Sequence, residues 1–490
     1  MKRHVLSIIA IGAALSIVAG ACSQATPSTP SGTPASAAPQ TVTTTVQSAQ
    51  LQPAPAGAPT SGWETAEANR GQLTLLAKFD SSGPAAWDQV KHPTVYVSSM
   101  SYPLAADQVA GKIYGDGFYI IDAYTKEVVA SRVYDLGEPV TSYPHSVGAS
   151  PDGKWFYFMQ ADTVAATKVV RNQIFIINAQ TLKIDKVLQH PTQRLHHVGG
   201  FKDSTGRDLV ILDMGFGATG GPHFLLDPKN DNKVYQAITF DNVRPMGHPF
   251  TAPSPDGKYL YISMGAPEIR EAESYAASIA KWDIEKKVAT VISGVGNHPI
   301  GIVNTNDGKF TYVVDAENSK VFKLDNATNT VVGRTSAGVA GPYGARLNWD
   351  ETQLYVVGKG EGSHNKGSVL GLIDTKTFQQ VKLANMPIEI LTEANAAAGG
   401  VVASVDHAIL HPDPTLNELW VSNMAGNETI VLDIATNKVK AYIRTPNGGN
   451  THSGFFMKYD ASWKGELLAD MLSPGPAQSK LMKEKAAAVK

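Results

Sequence analysis

Six of the 13 histidines in this 490-residue chain recur at the spacing of a structural repeat. Four of the five intervals between them are 45 to 52 residues long, and the fifth, of 109 residues, contains Tyr343 with Arg346 close behind it. Imidazole nitrogens bind copper, zinc and iron, and they also transfer protons near neutral pH. A fold that gathers these side chains would therefore hold a metal or haem-iron site, or a site of proton transfer. The six are His145, His197, His248, His298, His407 and His452.

The same histidines also fit a purely structural role. Three of them stand in turns rich in Pro and Gly, namely Tyr143-Pro144-His145, Gly247-His248-Pro249 and Asn297-His298-Pro299. An imidazole in such a turn can fix the turn by hydrogen bonding to a carbonyl of the next repeat. Three interpretations therefore stay open: repeated structural histidines, a metal or haem site, and proton transfer without a metal.

The remaining histidines give weaker predictions. Successive side chains of a strand point to opposite faces, so only one of His196 and His197 is expected to face the site. We therefore expect His190 and His196 on the surface. His223 and His364 follow Gly-rich stretches and are expected in solvated loops, whereas His411 is expected to stabilise a turn.

A repeating fold can bring such distant side chains together, and the chain does contain a repeat. Seven times, an apolar residue is followed by Asp or Asn and then by turn residues such as Thr and Lys. The acidic or amide side chain can accept hydrogen bonds from the backbone just ahead of it, which predicts a hairpin between the two outer strands of a sheet. The seven residues, 42 to 59 positions apart, are Asp122, Asn178, Asp227, Asp283, Asp325, Asp374 and Asp433.

A second motif lies between these copies and predicts the inner hairpins. Ser-Pro-Asp-Gly-Lys occurs at 150–154 and 254–258, and Asn-Asp-Gly-Lys occurs at 306–309. Each copy precedes a run of aromatic and β-branched residues, which favours a strand. Asp-Gly supplies the positive φ that a tight turn needs.

Seven such repeats predict an all-β fold, a seven-bladed β-propeller. A spare strand, Ser453 to Tyr459, follows the last repeat, and we expect it to close the ring by pairing with a strand of the first repeat near Thr94 to Ser98. A predicted strand from Leu73 to Phe79 belongs to none of the seven repeats, so a ring of eight blades is the alternative. Because the innermost strands of a propeller line its channel, the six histidines with Tyr343 and Arg346 are predicted to meet at one mouth and bind a cofactor.

The repeats contain Tyr-Val-Val-Asp at 312–315 and Leu-Tyr-Val-Val at 354–357. Over residues 94–460 the chain resembles YVTN-type propellers and, more loosely, the cytochrome d1 haem domain of nitrite reductase. That resemblance implies channel histidines around a haem. Propellers of the nitrous oxide reductase family hold copper with mouth histidines, but the Cys-bearing copper domain expected beside them is missing here. The cofactor expectation is therefore haem, copper or zinc, bound through the six histidines.

The N-terminus predicts export. Lys2 and Arg3 precede an apolar run from Val5 to Ala19, and Ala19-Gly20-Ala21-Cys22 resembles a lipobox whose cysteine is acylated. Cleavage at the same Ala-x-Ala site without lipidation is the alternative. We predict a signal peptide (1–21), a Ser/Thr/Pro/Ala tether (22–62), the propeller (63–471) and a Lys/Ala-rich tail (472–490). The protein would then lie in the bacterial cell envelope, anchored to the membrane and facing the periplasm or the outside.

Composition removes several classes of function. The net charge of −2 shows no basic excess for nucleic acid. The single cysteine excludes disulfides and covalently attached c-type haem. Two hypotheses remain: an envelope protein that binds a metal or haem-type redox cofactor and serves a redox or protein partner, or an inert scaffold for a protein or polysaccharide. Whether the chain is an enzyme stays open.

Overall fold

The apolar and β-branched runs of the sequence form antiparallel strands in the computed structural model. Trp155-Phe156-Tyr157-Phe158 begins the strand Trp155–Val164, and the Tyr-Val-Val-Asp stretch ends the strand Phe310–Asp315. The strand Asp208–Met214 is buried at every position. Strands covered on both faces by neighbouring sheets need apolar residues on both, which is why continuous runs mark them here.

The structure describes residues 41–45, 72–100, 116–135, 140–142, 146–164, 170–190, 195–214, 218–219, 222–240, 245–246, 249–264, 277–360, 369–382, 388–389, 405–423, 428–446, 448–472 and 484. Internal contacts divide the chain into Met1–Ala38 and Pro39–Lys490, and every described residue belongs to the second unit. No helix in this described part is long and apolar enough to cross a membrane.

Seven of the sheets formed by the described strands are arranged as the blades of a ring, so the predicted seven-bladed β-propeller is confirmed. The blades are given from the channel outward. Blade 1 consists of Gly454–Tyr459, Thr94–Met100, Asp116–Asp122 and Val128–Asp135. Blade 2 consists of Val147–Ala149, Trp155–Val164, Val170–Asn178 and Ile184–Gln189. Blade 3 consists of Leu195–Lys202, Asp208–Met214, His223–Asp227 and Lys233–Ile238.

The other four blades repeat this arrangement. Blade 4 consists of Thr251–Pro253, Tyr259–Met264, Ser278–Asp283 and Val288–Ser293. Blade 5 consists of Pro299–Asn304, Phe310–Asp315, Lys320–Asp325 and Thr330–Ser336. Blade 6 consists of Ala345–Leu347, Gln353–Gly358, Val369–Asp374 and Gln379–Gln380. Blade 7 consists of Val405–Leu410, Glu418–Asn423, Glu428–Asp433 and Lys438–Arg444.

Shorter elements extend the blades or pair beside them. Thr41–Thr45, within the predicted tether, runs parallel to the outer strand of blade 1, and Thr74–Lys78 pairs with the outer strand of blade 2. The latter is therefore not part of an eighth blade. The rest are Val140–Ser142 and Ile388–Glu389, which pair with strands of blades 2 and 6, the ribbon of Ala218–Thr219 with Pro245–Met246, and the 3-10 turn Pro228–Asn230.

Both predicted hairpin motifs are confirmed in place and in mechanism. Asp122 Oδ1 accepts hydrogen bonds from the amides of Tyr124 and Thr125, at 2.9 and 2.7 Å, in the turn between the outer strands of blade 1. At an inner hairpin, Asp152 Oδ1 accepts from Ser150 Oγ at 2.6 Å, and Gly153 has a φ of 68°. These local bonds fix where each strand ends.

The ring closes as predicted, by pairing a C-terminal strand with the first repeat. Gly454–Tyr459 pairs antiparallel with Thr94–Met100, with Thr94 opposite Lys458 and Ser98 opposite Gly454. Blades also pack on one another through aromatic rings; Phe156 of blade 2 lies 5.8 Å from Phe118 and 5.1 Å from Phe455 of blade 1. Burial and strand pairing thus hold the ring without any disulfide.

A further strand, Gly465–Asp470, runs along the channel side of blade 1. It reaches toward other blades, because Gly200 of blade 3 donates its amide proton to Asp470 Oδ2 at 2.9 Å. Arg346 of blade 6 is buried and donates to the carbonyls of Ala408, Asp470 and Met471 at 3.2, 2.7 and 3.2 Å. The guanidinium group therefore ties the end of this strand to blades 6 and 7.

We predict that Arg346→Met lowers the free energy of unfolding by about 3 kcal/mol, because three buried carbonyls lose a charged donor. Urea unfolding measures the change. Arg346→Lys should restore only part of it, since an ammonium group lacks the planar fork. The exposed Lys286→Met serves as the control and should change the free energy by less than about 0.5 kcal/mol. Equal stability of the Arg346→Met and Lys286→Met variants would contradict the role of Arg346.

Candidate functional site

A β-bulge opens the first strand of blade 3 and sets the direction of two histidines. Leu195 pairs with Met214 and His197 pairs with Asp213, which leaves His196 as an extra residue. Two residues opposite one break the alternation of faces, so neighbouring side chains can point the same way. The rings of His196 and His197 accordingly lie 3.7 Å apart, and both are buried. The prediction that His196 lies on the surface is wrong for this reason.

A second bulge opens the first strand of blade 7. Val405 pairs with Asn423 and Ala408 pairs with Val421. Two residues therefore lie between the paired positions on the first strand, but only one on its partner. Asp406 and His407 occupy this bulge. The His407 ring lies 5.1 Å from the ring of His197 and 5.1 Å from that of Tyr343, which enters the first strand of blade 6.

A buried ion pair lies beside these rings. Lys359 Nζ is 3.1 Å from Asp406 Oδ1 and 3.7 Å from the centre of the Tyr343 ring. The other oxygen of Asp406 lies 3.3 Å from His452 Nδ1 and 3.5 Å from His407 Nε2. Neither Lys359 nor Asp406 was predicted as a site residue. We call the group of His196, His197, Tyr343, Lys359, Asp406, His407 and His452 the mouth cluster.

The mouth cluster combines charge with nearly complete burial. Asp406 is 0% exposed and Lys359 is 5% exposed. Burial alone raises the pKa of the Asp406 carboxyl, but the Lys359 ammonium, with His407 and His452, outweighs it and holds that pKa below its usual value. Burial lowers the pKa of His407 to about 4 and that of His197 to about 3. Both imidazoles are therefore neutral near pH 7, while the carboxylate is charged.

Hydrogen-bond partners assign the protons of these imidazoles. The Nδ1 atoms of His196 and His197 lie 2.8 and 3.1 Å from the carbonyl oxygen of Pro249, and His452 Nδ1 faces the Asp406 carboxylate. Because a carbonyl or carboxylate oxygen only accepts, each Nδ1 carries a hydrogen, and in the neutral ring Nε2 carries the lone pair. His196 Nε2 accepts from Tyr343 Oη at 3.0 Å.

His407 Nε2 is buried and has no hydrogen-bond partner among the described residues, and Asp406 Oδ2 lies 3.5 Å from it. Neutral imidazoles whose Nδ1 is held by an oxygen and whose Nε2 keeps its lone pair are the usual form of histidine metal ligands. The mouth cluster can therefore present nitrogen donors to a metal, or accept protons.

The structure brings together only part of the predicted set. His197, Tyr343, His407 and His452 meet in the mouth cluster, whereas His145, His248 and Cys22 lie outside the described residues. His298 is half-buried before blade 5, where its amide donates to Asp315 Oδ1 at 2.8 Å. Among the described residues, no three His, Cys, Asp or Glu side chains are placed to hold a metal by themselves. Metal ligation by the six histidines thus stays a prediction.

The sequence predicted a position for four histidines away from the mouth cluster, and one of them, His364, lies outside the described residues. His411 is structural as predicted: its Nδ1 accepts from the Asp413 amide at 2.9 Å, and its Nε2 donates to the Ala123 carbonyl at 3.2 Å. His190 was expected on the surface and is fully buried. His223 was expected in a solvated loop, but it begins the third strand of blade 3 and is 2% exposed. Packing between blades, which sequence spacing does not reveal, buries both.

We predict that the protein loses stability as the pH falls from about 6.5 toward about 4. Burial lowers the pKa of His411 to about 4, as it does for His407 and more strongly for His197. Above the unfolded value near 6.5 both states are neutral; below it only the unfolded chain takes up protons, so unfolding is favoured. Each histidine contributes at most about 1.4 kcal/mol per pH unit.

Urea midpoints at about pH 7.5 and about pH 5 measure this slope. His411→Gln is the matched variant, because an amide can replace both hydrogen bonds but does not titrate in this range. We expect it to show a shallower slope than the wild type. An unchanged slope would contradict the assignment of His411 as a buried neutral imidazole.

Comparison with known proteins finds distant structural similarity and nothing more. No protein-family model and no curated protein matches the chain. A functionally unknown protein from Desulfotomaculum acetoxidans DSM 771 is similar in structure, with a TM-score of 0.45 and 14% identity over 68% of this chain and 94% of that one. Dihydro-heme d1 dehydrogenase NirN in complex with DHE is similar with a TM-score of 0.45 and 13% identity, over 81% of this chain and 82% of that one. Kinship with YVTN-type propellers stays a prediction.

Proposed function

We propose that this propeller binds a metal or a metal-bearing cofactor of the haem type at the channel mouth. The observation that carries the proposal is the shared form of the mouth imidazoles. The Nδ1 atoms of His197 and His452 both face an oxygen partner, so in the neutral rings the lone pairs are on Nε2. Such partners fix the ring and raise its basicity as a ligand.

The donor set fits an imidazole-ligated metal. His197 and His407 are neutral, and His407 Nε2 is buried without a hydrogen-bond partner among the described residues. These two would be the first ligands, with His452 next to them. Iron or copper held there would supply one-electron chemistry, and zinc would polarise a bound oxygen.

The surrounding residues suit a charged cofactor. Lys359 and Asp406 form an ion pair at 3.1 Å, and the Asp406 carboxylate faces both His407 and His452. The carboxylate stabilises positive charge at those imidazoles, while the ammonium limits it. Phe250, whose ring lies 5.1 Å from that of His197, lines the same region with apolar surface. These residues would orient the imidazoles and keep water from them.

We further propose that the protein acts in the bacterial cell envelope as a lipid-anchored protein. The basis is the sequence from Lys2 to Cys22, with its basic start, apolar run and lipobox-like end. Membrane attachment through Cys22 would place the propeller on the periplasmic or outer side, where a redox or protein partner could reach the channel mouth.

The test of cofactor binding is elemental analysis for iron, copper and zinc, with a visible spectrum, on natively exported protein purified without a metal-affinity tag. We expect near-stoichiometric metal in the wild type and a drop of at least about tenfold in His197→Ala and His407→Ala. His92→Gln is the matched control. His92 is also buried and also bound to a carboxylate, at 2.8 Å from Asp122, but it lies by an outer hairpin.

Metal retained in all variants would contradict binding by the mouth cluster. A folded wild type without any metal would contradict the proposal itself and favour the inert scaffold.

Cys22→Ser tests the anchor. We expect the wild type in the membrane fraction and in the detergent phase of a phase-partition assay, and the Cys22→Ser protein in the aqueous phase. The change removes one thiol that an acyl chain would modify. Equal partition of both proteins into the aqueous phase would support secretion without an anchor.

A further inference from the structure

A second histidine centre lies next to the mouth cluster, between blades 3 and 4. His223 Nδ1 is 2.7 Å from Asp213 Oδ1, and Thr251 Oγ donates to the same oxygen at 2.6 Å. Asp213, His223 and Thr251 are all buried. We call Asp213 and His223 the blade 3 dyad, and Thr251 is the threonine beside it.

Strand register explains how the dyad forms. Asp213 pairs with His197 on one side and with His223 on the other, so one row of side chains crosses three strands of blade 3. Directly paired residues of adjacent strands point to the same face. Asp213 therefore stands between a histidine of the mouth cluster and His223.

The hydrogen bonds define the proton positions. Asp213 Oδ1 accepts from two donors, the Thr251 hydroxyl and His223 Nδ1. In the neutral ring the lone pair of His223 is then on Nε2, and the hydrogen bonds that His223 makes within the described residues involve Nδ1. His411 provides the contrast, because both of its nitrogens are engaged.

Asp213 also carries an unused acceptor. Its Oδ2 atom is buried and has no hydrogen-bond partner among the described residues. A buried carboxylate oxygen in that condition costs free energy unless a proton donor or a cation reaches it. The buried Oδ2 of Asp213, which has no hydrogen-bond partner among the described residues, therefore points to a ligand.

We propose that Asp213 and His223 form a proton-accepting pair for a ligand bound at the channel mouth. The ligand belongs to the class of molecules with an acidic O–H or N–H group. The proton moves from that group to His223 Nε2, the bonding electron pair stays on the oxygen or nitrogen of the ligand, and Asp213 stabilises the imidazolium formed. This pair does not require the metal proposed for the mouth cluster.

The test uses diethyl pyrocarbonate, which acylates accessible imidazole nitrogens that carry a lone pair, followed by peptide mapping with mass spectrometry. The full-length wild type needs no substitution for this measurement, so misfolding cannot confuse it. We expect acylation of His223 in the folded protein and none of His411, which is the internal control. A His223 as unreactive as His411 would overturn the proposal.

Asp213→Asn and Asp208→Asn form the matched pair of variants. In Asp213→Asn, the new side-chain amide oxygen still accepts the Nδ1 hydrogen but cannot stabilise an imidazolium, so His223 should be less nucleophilic and should react several-fold more slowly. Asp208 lies on the same strand but pairs with Lys202 and Lys229, so its variant should leave the rate unchanged. Equal rates in both variants would overturn the pairing of Asp213 with His223.

His223→Gln separates this proposal from the metal proposal. If the two centres are distinct, the His223→Gln protein keeps the metal content of the wild type, and the acylation result holds whether or not metal is found. Loss of bound metal in the folded His223→Gln protein would instead make His223 part of the mouth cluster and overturn its role as a separate proton acceptor.

Discussion

Closure of the ring is the constraint on which the rest of the molecule depends. Gly454–Tyr459 pairs with Thr94–Met100 although more than 350 residues separate Ser98 from Gly454. Without this pairing the first and last blades would each keep an open edge. The first strands of blades 3, 6 and 7 converge on one mouth only when the circle is complete. The contact between His197 and His407 is therefore a consequence of a strand pairing elsewhere.

The fold was predictable because its signals are local. An Asp that accepts two backbone amides ahead of it, as Asp122 does, fixes a turn whatever lies around it. Asp-Gly turns such as Asp152-Gly153 act in the same way. The number of these turns predicted seven blades, and the spare C-terminal strand predicted how the ring closes. The channel strand Gly465–Asp470 was not predicted, because it follows the last repeat and has no counterpart in the other repeats.

The site was predictable only in part, for physical reasons that differ by residue. His197, Tyr343, His407 and His452 follow the repeat, so their meeting at the mouth could be inferred. Lys359 and Asp406 occur once each at these positions and carried no repeating signal. His196 was misplaced because a bulge, which depends on the partner strand, overrides the alternation expected of an isolated strand. The burial of His190 and His223 depends on how blades pack.

The concentration of buried polar groups at one mouth is not explained by stability. In a buried ion pair such as Lys359 with Asp406, the attraction between the charges roughly offsets the free energy lost when both leave water. Two apolar side chains of similar size often stabilise a core equally well. Elsewhere in the ring, acidic side chains such as Asp122 and Asp152 serve turns, and others such as Asp315 and Glu418 are also buried. Stability therefore does not by itself account for the buried charges of Lys359 and Asp406.

Asp213 links the two centres of blade 3. Its carboxylate accepts from His223, and its negative charge also raises the pKa of His197, although burial dominates and lowers it overall. The Asp213 carboxylate stabilises a positive charge on His197 and also one on His223. A cation held at His197 would therefore weaken the stabilisation that Asp213 gives to a protonated His223, and a proton on His223 would weaken the binding of that cation. By thermodynamic linkage the two effects are equal in free energy, so metal binding and proton uptake in this blade would oppose each other.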